Sequence, residues 1–127
     1  RIMKENDISY DISGAAFIVQ NELGPGLLES VYEAALSFEL EQMGHIVQRQ
    51  VGIPMKYKEI DFEIGFRMDL LVDNLVIVEI KSVENLAPVH FAQTLTYLKM
   101  KNLKLGLLIN FNTKFLKDGI HRVVNNL

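Results

Sequence analysis

Two neighbouring segments of alternating polarity, residues 66–72 and 76–81, restrict the fold more than any other feature of the sequence. One side of the first segment carries apolar residues, and so does one side of the second: Phe66, Met68, Leu70 and Val72, then Val76, Val78 and Ile80. Side chains alternate between the two faces of a strand, so a slip of one residue would turn one apolar set away from the core. The register that keeps both sets on one core joins three pairs: Val72 with Val76, Leu70 with Val78, and Met68 with Ile80.

This register leaves residues 73–75 as a three-residue loop, with a left-handed residue expected near Asn74. It places Asp69 directly opposite Glu79 and turns Lys81 towards the same face. A two-residue turn would instead put Glu79 and Lys81 on the other face from Asp69. The apolar pattern therefore predicts the loop length together with the grouping of the three charged residues.

Two carboxylates directly opposite each other repel, at a cost of up to about 1 kcal/mol, unless a cation lies between them. Mg²⁺ and Mn²⁺ prefer oxygen ligands, and Mg²⁺ usually takes one or two carboxylates with water and phosphate oxygens. Lys81 could hold a phosphate or lower the pKa of an attacking water. The pattern predicts a metal site made by Asp69 and Glu79. The alternative, which the pattern alone favours, is a solvated strand face, where Glu-x-Lys is common.

The surrounding segments predict an α/β (α+β) fold with a mixed central sheet flanked by helices. Residues 7–23 and 27–43 have helical spacing. The second helix is expected to bury one apolar stripe: Leu28, Val31, Ala35, Phe38 and Gln42. Residues 46–53 predict a strand, and residues 54–61, which begin with Pro54, predict a turn-containing connection.

Further along the chain, strands are predicted over residues 65–72, 75–83 and 103–111, and a helix from Pro88 to about Lys101. A short turn and an edge strand at residues 120–124 follow. We expect a single domain over residues 1–127, with an N-terminal helix at 1–23, a core at 27–111 and a tail at 112–127.

Composition narrows the classes of function. The chain has 127 residues, of which 49% are hydrophobic and 23% charged, enough to fill a core. It has no cysteine, which excludes thiolate metal sites and a cysteine nucleophile. The net charge of −3 disfavours a broad basic surface for nucleic acid, although metal-binding carboxylates themselves lower the net charge. No apolar run reaches the length of a membrane span and no secretory signal is recognisable, so a cytoplasmic protein without membrane contact is expected.

Five motifs in order resemble those of the GxxExxY protein family, which is assigned to the PD-(D/E)xK nuclease-like superfamily. They are Gly26-Leu-Leu-Glu29-Ser-Val-Tyr32, Gly65-Phe-Arg-Met-Asp69-Leu-Leu-Val, Val78-Glu-Ile-Lys81, the segment from Pro88 to Lys99, and Leu107-Leu-Ile-Asn110-Phe111. The resemblance implies a restriction-endonuclease-like αβββαβ core, which matches the element order predicted from the residues. It covers about residues 23–125. The proline that usually precedes the first acid is replaced by Met68.

The resemblance also implies roles. Asp69 corresponds to the first metal-binding acid, and Glu79 with Lys81 to the (D/E)xK element. Glu29 resembles a helix acid that supports the metal, and Gln93 a polar residue that completes such sites.

Four further residues are candidates for substrate binding or support: Tyr32, Arg67, His90 and Tyr97. Tyr32 could orient Glu29 or simply pack. His90, Gln93 and Tyr97 share one helix face, which could border the site, or could instead provide ordinary capping and surface chemistry. Glu33, one turn after Glu29, is predicted to be structural. The alternative for the acids of this helix, Glu29 included, is a solvent face. His45 and His121 are predicted to be surface residues.

The leading hypothesis is a Mg²⁺- or Mn²⁺-dependent phosphodiesterase that acts on nucleic acid, with DNA as the first choice. Asp69 and Glu79 would bind metal, Glu29 and Gln93 would support it, and Lys81 would stabilise charge at phosphorus. The alternative is a non-catalytic binding module with the same fold that acts through a protein partner or an oligomer, such as a homodimer. A structural protein with a coincidental strand face is the third hypothesis.

Overall fold

The chain begins with two consecutive helices, α1 (Glu5–Leu23) and α2 (Glu29–Gln42), in the computed structural model, which describes residues 3–127 apart from the side chains of residues 63 and 64. Residues 1 and 2 of the predicted domain lie outside the described residues. Between the helices, Gly24 and Gly26 have φ angles of 71° and 91°, a region that glycine enters without strain. The two predicted helices are confirmed, with bounds that differ by two residues or fewer.

The buried face of α2 is not the predicted one. Its buried residues are Tyr32, Glu33, Leu36, Ser37 and Leu40, whereas Leu28 is 74% exposed and Phe38 is 58% exposed. The prediction of the Leu28–Phe38 stripe is therefore wrong. The helix carries a second apolar series at four-residue spacing, Tyr32, Leu36 and Leu40, and this series packs against α1 and the sheet.

The next two strands, β1 (Val47–Tyr57) and β2 (Ile60–Val72), form one long antiparallel hairpin. The predicted connection over residues 54–61 is wrong, because pairing continues from Met55–Phe62 to Tyr57–Ile60 and leaves only residues 58 and 59 as the turn. Pro54 fits because β1 is an edge strand and its register shifts between Ile53 and Met55. A proline without an N–H is tolerated at such an edge or bulge.

The third strand, β3 (Val76–Lys81), pairs with β2 in the predicted register, with Val72 opposite Val76 and Leu70 opposite Val78. The three-residue loop is also confirmed. Both Asp73 and Asn74 are left-handed, with φ angles of 53° and 56°.

The remaining elements complete a five-stranded mixed sheet of order β1-β2-β3-β4-β5. Helix α3 (Pro88–Lys101) matches the prediction. Strand β4 (Leu105–Asn110) runs parallel to β3 and is buried throughout, as expected from its apolar run. A short 3-10 helix (Leu116–Asp118) leads to the antiparallel edge strand β5 (Ile120–Val124). None of the helices in the described part of the chain has the length and apolar character needed to cross a bilayer.

Apolar side chains fill both faces of the sheet. One cluster joins α1 and α2 to Leu70, Val78 and the same face of β4, and the other joins α3 to Met68 and Ile77. Met68 and Leu70 are two residues apart yet pack in different clusters, so the prediction that both face one core is wrong. The change of face coincides with Gln50 of β1, whose φ angle of 52° interrupts the regular alternation beside Asp69.

His45 is buried rather than superficial, which corrects the prediction of a surface residue. Its Nε2 lies 2.8 Å from Asp11 of α1, and its Nδ1 is bonded to Asp73 of the β2–β3 loop. Two carboxylates stabilise this ring in a buried position. His121 is partly buried, with its ring edge-on to Phe91.

Candidate active site

The β2–β3 ladder stops where the acidic residues begin. The backbone N–H of Asp69 donates to Glu79 Oε2 at 2.7 Å, and the N–H of Ile80 donates to Asp69 Oδ2 at 2.7 Å. The predicted pairing of Met68 with Ile80 therefore does not form. Two side-chain carboxylates take the place of ladder carbonyls, and the strands part around them. This fork brings Asp69 and Glu79 together, as the apolar register predicted.

Burial dominates the electrostatics of the two acids. It raises the pKa of Glu79 to about 8, and the neighbouring charge of Asp69 adds to the effect. Burial also raises the pKa of Asp69, against the N–H of Ile80 and the charge of Lys81, which both lower it. A positive charge close to both carboxylates favours their ionised forms. Lys81 supplies part of that charge, and a bound cation would supply more.

Glu33, which the sequence predicted to be structural, lies next to this pair. The residue is 7% exposed, its Oε2 accepts a hydrogen bond from Arg49 Nε at 3.1 Å, and its Oε1 accepts one from Gln50. Its negative charge contributes to the raised pKa values of both Asp69 and Glu79. The one-turn spacing of Glu29 and Glu33 on α2 was the available signal, but it did not determine which face of the helix is buried.

Glu29 lies at the first turn of α2, where its Oε2 accepts the backbone N–H of Ser82 at 3.2 Å. This bond connects the helix to the residue that follows Lys81. A cavity of about 410 Å³ lies between α2 and the fork. Its lining consists of Glu29, Ser30, Glu33, Gln50, Asp69 and Ile80. Three acids on two elements thus face one solvent-accessible space.

Tyr97 and Gln93 of α3 approach the acids from the other face of the sheet. Tyr97 is 2% exposed, and burial together with the charge of Glu79 raises its pKa to about 12. Gln93 hydrogen-bonds the Tyr97 side chain. His90 has a different contact, since its Nδ1 accepts the backbone N–H of Ala87 at 3.0 Å and so caps α3. The structure therefore brings Tyr97 and Gln93 towards the site and engages His90 in capping.

The polar contacts of two other candidate residues are with backbone atoms. Tyr32 is fully buried, and its hydroxyl donates to Gly24 O at 2.6 Å and accepts from Leu27 N at 3.1 Å. Its contacts are those of a packing residue. Arg67 is exposed, and its Nη1 donates to Gln50 O at 3.4 Å. Arg67 pairs with Gly52 on β1.

Asn110 is a residue that the sequence analysis named only within a motif. It pairs with Lys81 across β3 and β4, and its buried side chain accepts the N–H of Val83 at 3.1 Å. Its Nδ2 donates to the Val83 carbonyl at 2.9 Å. These bonds fix the chain just beyond Lys81. A polar residue at the end of an apolar strand was the available signal.

The donor set suits a hard divalent cation. Asp69 and Glu79 offer carboxylate oxygens, and Mg²⁺ needs only one or two of these when water and phosphate complete its shell. Among the residues that the structure describes, no group of three or more His, Cys, Asp or Glu side chains is placed to hold an ion. Asp69 and Glu79 alone fit such a cation only if water and substrate complete its coordination shell.

The sheet is mixed and flanked by helices, and it carries an acid on β2 and Glu-x-Lys on β3. These features define a restriction-endonuclease-like fold. The family model described as the PD-(D/E)XK nuclease superfamily matches residues 6–123. The chain belongs to that superfamily. Nucleases of this superfamily generally use divalent metals. A search of curated proteins gives no match.

Proposed function

We propose that this protein hydrolyses phosphodiester bonds of nucleic acid, with DNA as the first substrate to test, in a reaction that depends on Mg²⁺ or Mn²⁺. The observation that carries the proposal is the fork, where Glu79 accepts the N–H of Asp69 and Asp69 accepts the N–H of Ile80, with Lys81 adjacent. Membership of a nuclease superfamily supports it independently.

Asp69 and Glu79 would hold the cation, and Glu29 and Glu33 would support it from α2. When bound, the cation would offset negative charge at the phosphate and lower the pKa of the attacking water. Lys81 would donate hydrogen bonds to a phosphate oxygen and stabilise the charge that develops there. Glu29 and Asn110 would keep the segment after Lys81 in place through Ser82 and Val83.

The α3 residues would act on the buried side of the pair. The charge of Glu79 acts on the Tyr97 hydroxyl, and Gln93 hydrogen-bonds the Tyr97 side chain, so the two residues would influence Glu79 from this side. Tyr97 is buried on the α3 side, whereas the cavity lies on the α2 side of the fork. Substrate would therefore approach from the cavity, between α2 and β2.

Lys81→Ala tests the reaction. We expect it to reduce cleavage of plasmid or single-stranded DNA by about 10²–10³-fold in the presence of Mn²⁺, as loss of a charge-stabilising donor does in other enzymes. Lys101→Ala is the matched control, because Lys101 is exposed at the end of α3. Asp69→Asn should weaken Mn²⁺ binding, measured by calorimetry.

Absence of metal-dependent cleavage by the wild-type protein, tested on single- and double-stranded DNA and RNA, would contradict the proposal. Nucleic-acid and Mn²⁺ binding without cleavage would instead support a non-catalytic binding module. Unchanged cleavage in Lys81→Ala would reject the role of Lys81 alone.

A further inference from the structure

Gln50 has an unusual backbone conformation at the position beside Asp69. Its neighbours Arg49 and Val51 pair with Leu70 and Met68, so Gln50 occupies the place across from Asp69 on β1. Its φ angle of 52° lies in the left-handed region, which residues other than glycine rarely adopt. Strained residues of this kind persist where surrounding contacts hold them, and they are concentrated at functional sites.

The contacts that hold Gln50 are carboxylates. Its Nε2 donates to Glu33 Oε1 and, at 3.4 Å, to Asp69 Oδ1. An amide nitrogen has two donor hydrogens and can bond two acceptors at once. The amide N–H₂ group therefore lies between Glu33 of α2 and Asp69 of β2. A cation held by Asp69 and supported by Glu33, as in the proposed function, would compete for the same space.

We propose that the Gln50 amide stands in for the divalent cation in the metal-free protein and must leave the two carboxylates before the cation can bind between them. The inference rests on the metal site of the proposed function and goes further, since it assigns a regulating contact to a residue outside the acid and lysine set. Gln50 is a positioning residue here, because it acts through Glu33 and Asp69.

Two consequences follow from this competition. Removal of the amide donor should make metal binding tighter, because no hydrogen bond to the carboxylates then has to break before the cation binds. The same removal should destabilise the metal-free protein, because Glu33, Asp69 and Glu79 then repel each other without a donor between them. A residue that served only as a metal ligand would give the opposite change in affinity.

The test compares Gln50→Met with wild type, using MnCl₂ titrated by calorimetry into chelator-treated protein. Methionine keeps the length of the side chain and removes the amide. We expect Mn²⁺ to bind about tenfold more tightly, the change that loss of one competing hydrogen bond to a charged group brings. Gln48→Met is the matched control, since Gln48 is exposed on the same strand.

Two further variants separate the amide from the backbone. Gln50→Gly relaxes the left-handed conformation, so it should lose less thermal stability than Gln50→Met while it also binds Mn²⁺ more tightly. Gln50→Lys places an ammonium group at the same position. It should raise the melting temperature of the metal-free protein above that of Gln50→Met and weaken Mn²⁺ binding relative to wild type.

Unchanged or weaker Mn²⁺ binding in Gln50→Met would overturn the inference and leave the proposed hydrolysis untouched. Tighter binding without any nucleic-acid cleavage by the wild type would support the inference and contradict the proposed activity. Failure of the wild type to bind Mn²⁺ would overturn both.

Discussion

Tyr32 lies fully buried where the α1–α2 connection meets the sheet, and its ring and hydroxyl make separate contacts. The ring stacks on Phe111 with centroids 4.5 Å apart and planes nearly parallel. The hydroxyl bonds both the Gly24 carbonyl and the Leu27 N–H, and so closes the turn before α2. The hydroxyl therefore helps to determine where α2 begins, at Glu29.

We predict that Tyr32→Phe lowers the free energy of unfolding by about 1 kcal/mol, the usual net value of a hydrogen bond. The ring stacking is retained, so the loss should stay well below the roughly 3–5 kcal/mol expected for removal of a buried aromatic ring. Urea denaturation measures the change, and Tyr10→Phe, at an 81% exposed tyrosine, is the control. An equal loss in both variants would contradict a specific role for this hydroxyl.

Several individual residues of the site could be predicted from the sequence, and others could not. Asp69, Glu79 and Lys81 could be grouped from the apolar register of the two strands, although its assumption that Met68 and Leu70 face one core is wrong. Glu33 does not, since a helix with two apolar series gives no unique buried face. Gln50 was also missed, because a left-handed residue within a strand leaves no mark in the polarity pattern.

At the scale of elements, proline and glycine predicted the helix ends correctly but not the course of β1. Pro88 began a helix and Gly24 followed one, as their backbone preferences require. Pro54 was misinterpreted because a proline ends a central strand but not an edge strand, and the position of β1 at the edge depends on the whole sheet. Strand order is a long-range property that periodicity does not contain.

The connection from β4 to β5 depends on a glycine, and a second glycine provides its control. A Cβ at Gly119 would lie 2.3 Å from the Asn110 carbonyl oxygen, whereas a Cβ at Gly14 on α1 meets nothing within 4 Å. We predict that Gly119→Ala destabilises the protein by about 1–3 kcal/mol through overpacking. Gly14→Ala should stabilise it by up to about 1 kcal/mol, because alanine favours an exposed helix position.

Chemical denaturation of both variants tests this pair. The two changes should have opposite signs, and any loss in Gly119→Ala reflects displacement of Asn110, which is bonded to Val83 beside Lys81. Similar small effects in both variants would show that the β4–β5 connection adapts to the extra methyl group. Cleavage activity should fall only in Gly119→Ala if Asn110 positions the site.

At the scale of the whole molecule, two polar networks join elements that are distant in sequence. The fork joins β2, β3 and α2 through carboxylates, and His45 joins α1 to the β2–β3 loop through Asp11 and Asp73. Asp73 also accepts the N–H of Ile46 at 2.9 Å, which fixes the start of β1. The hairpin that carries Asp69 is thus held at its loop by one network and at its open end by the other.

Stability should depend on pH through these networks. Burial lowers the pKa of His45, but the hydrogen bonds and charges of Asp73 and Asp11 together outweigh it, so the net pKa is raised above 6.5. A raised folded-state pKa means that the native state binds more protons than the unfolded state. The contribution is therefore complete below pH 6.5 and is lost as pH rises through the folded-state pKa. Glu79 acts in the same direction between about pH 4.5 and 8.

We predict that the free energy of unfolding of the metal-free protein falls between pH 6 and pH 9, and that His45→Gln makes this fall less steep. At pH 6 the variant should be less stable by about 1–3 kcal/mol, the range for hydrogen bonds to charged groups, and the deficit should shrink as pH rises. Glu79 remains in both proteins, so the difference between the two curves isolates His45. His121→Gln, at a ring that packs against Phe91, is the control. Parallel curves for wild type and His45→Gln would mean that the pKa of His45 is the same in the folded and unfolded states.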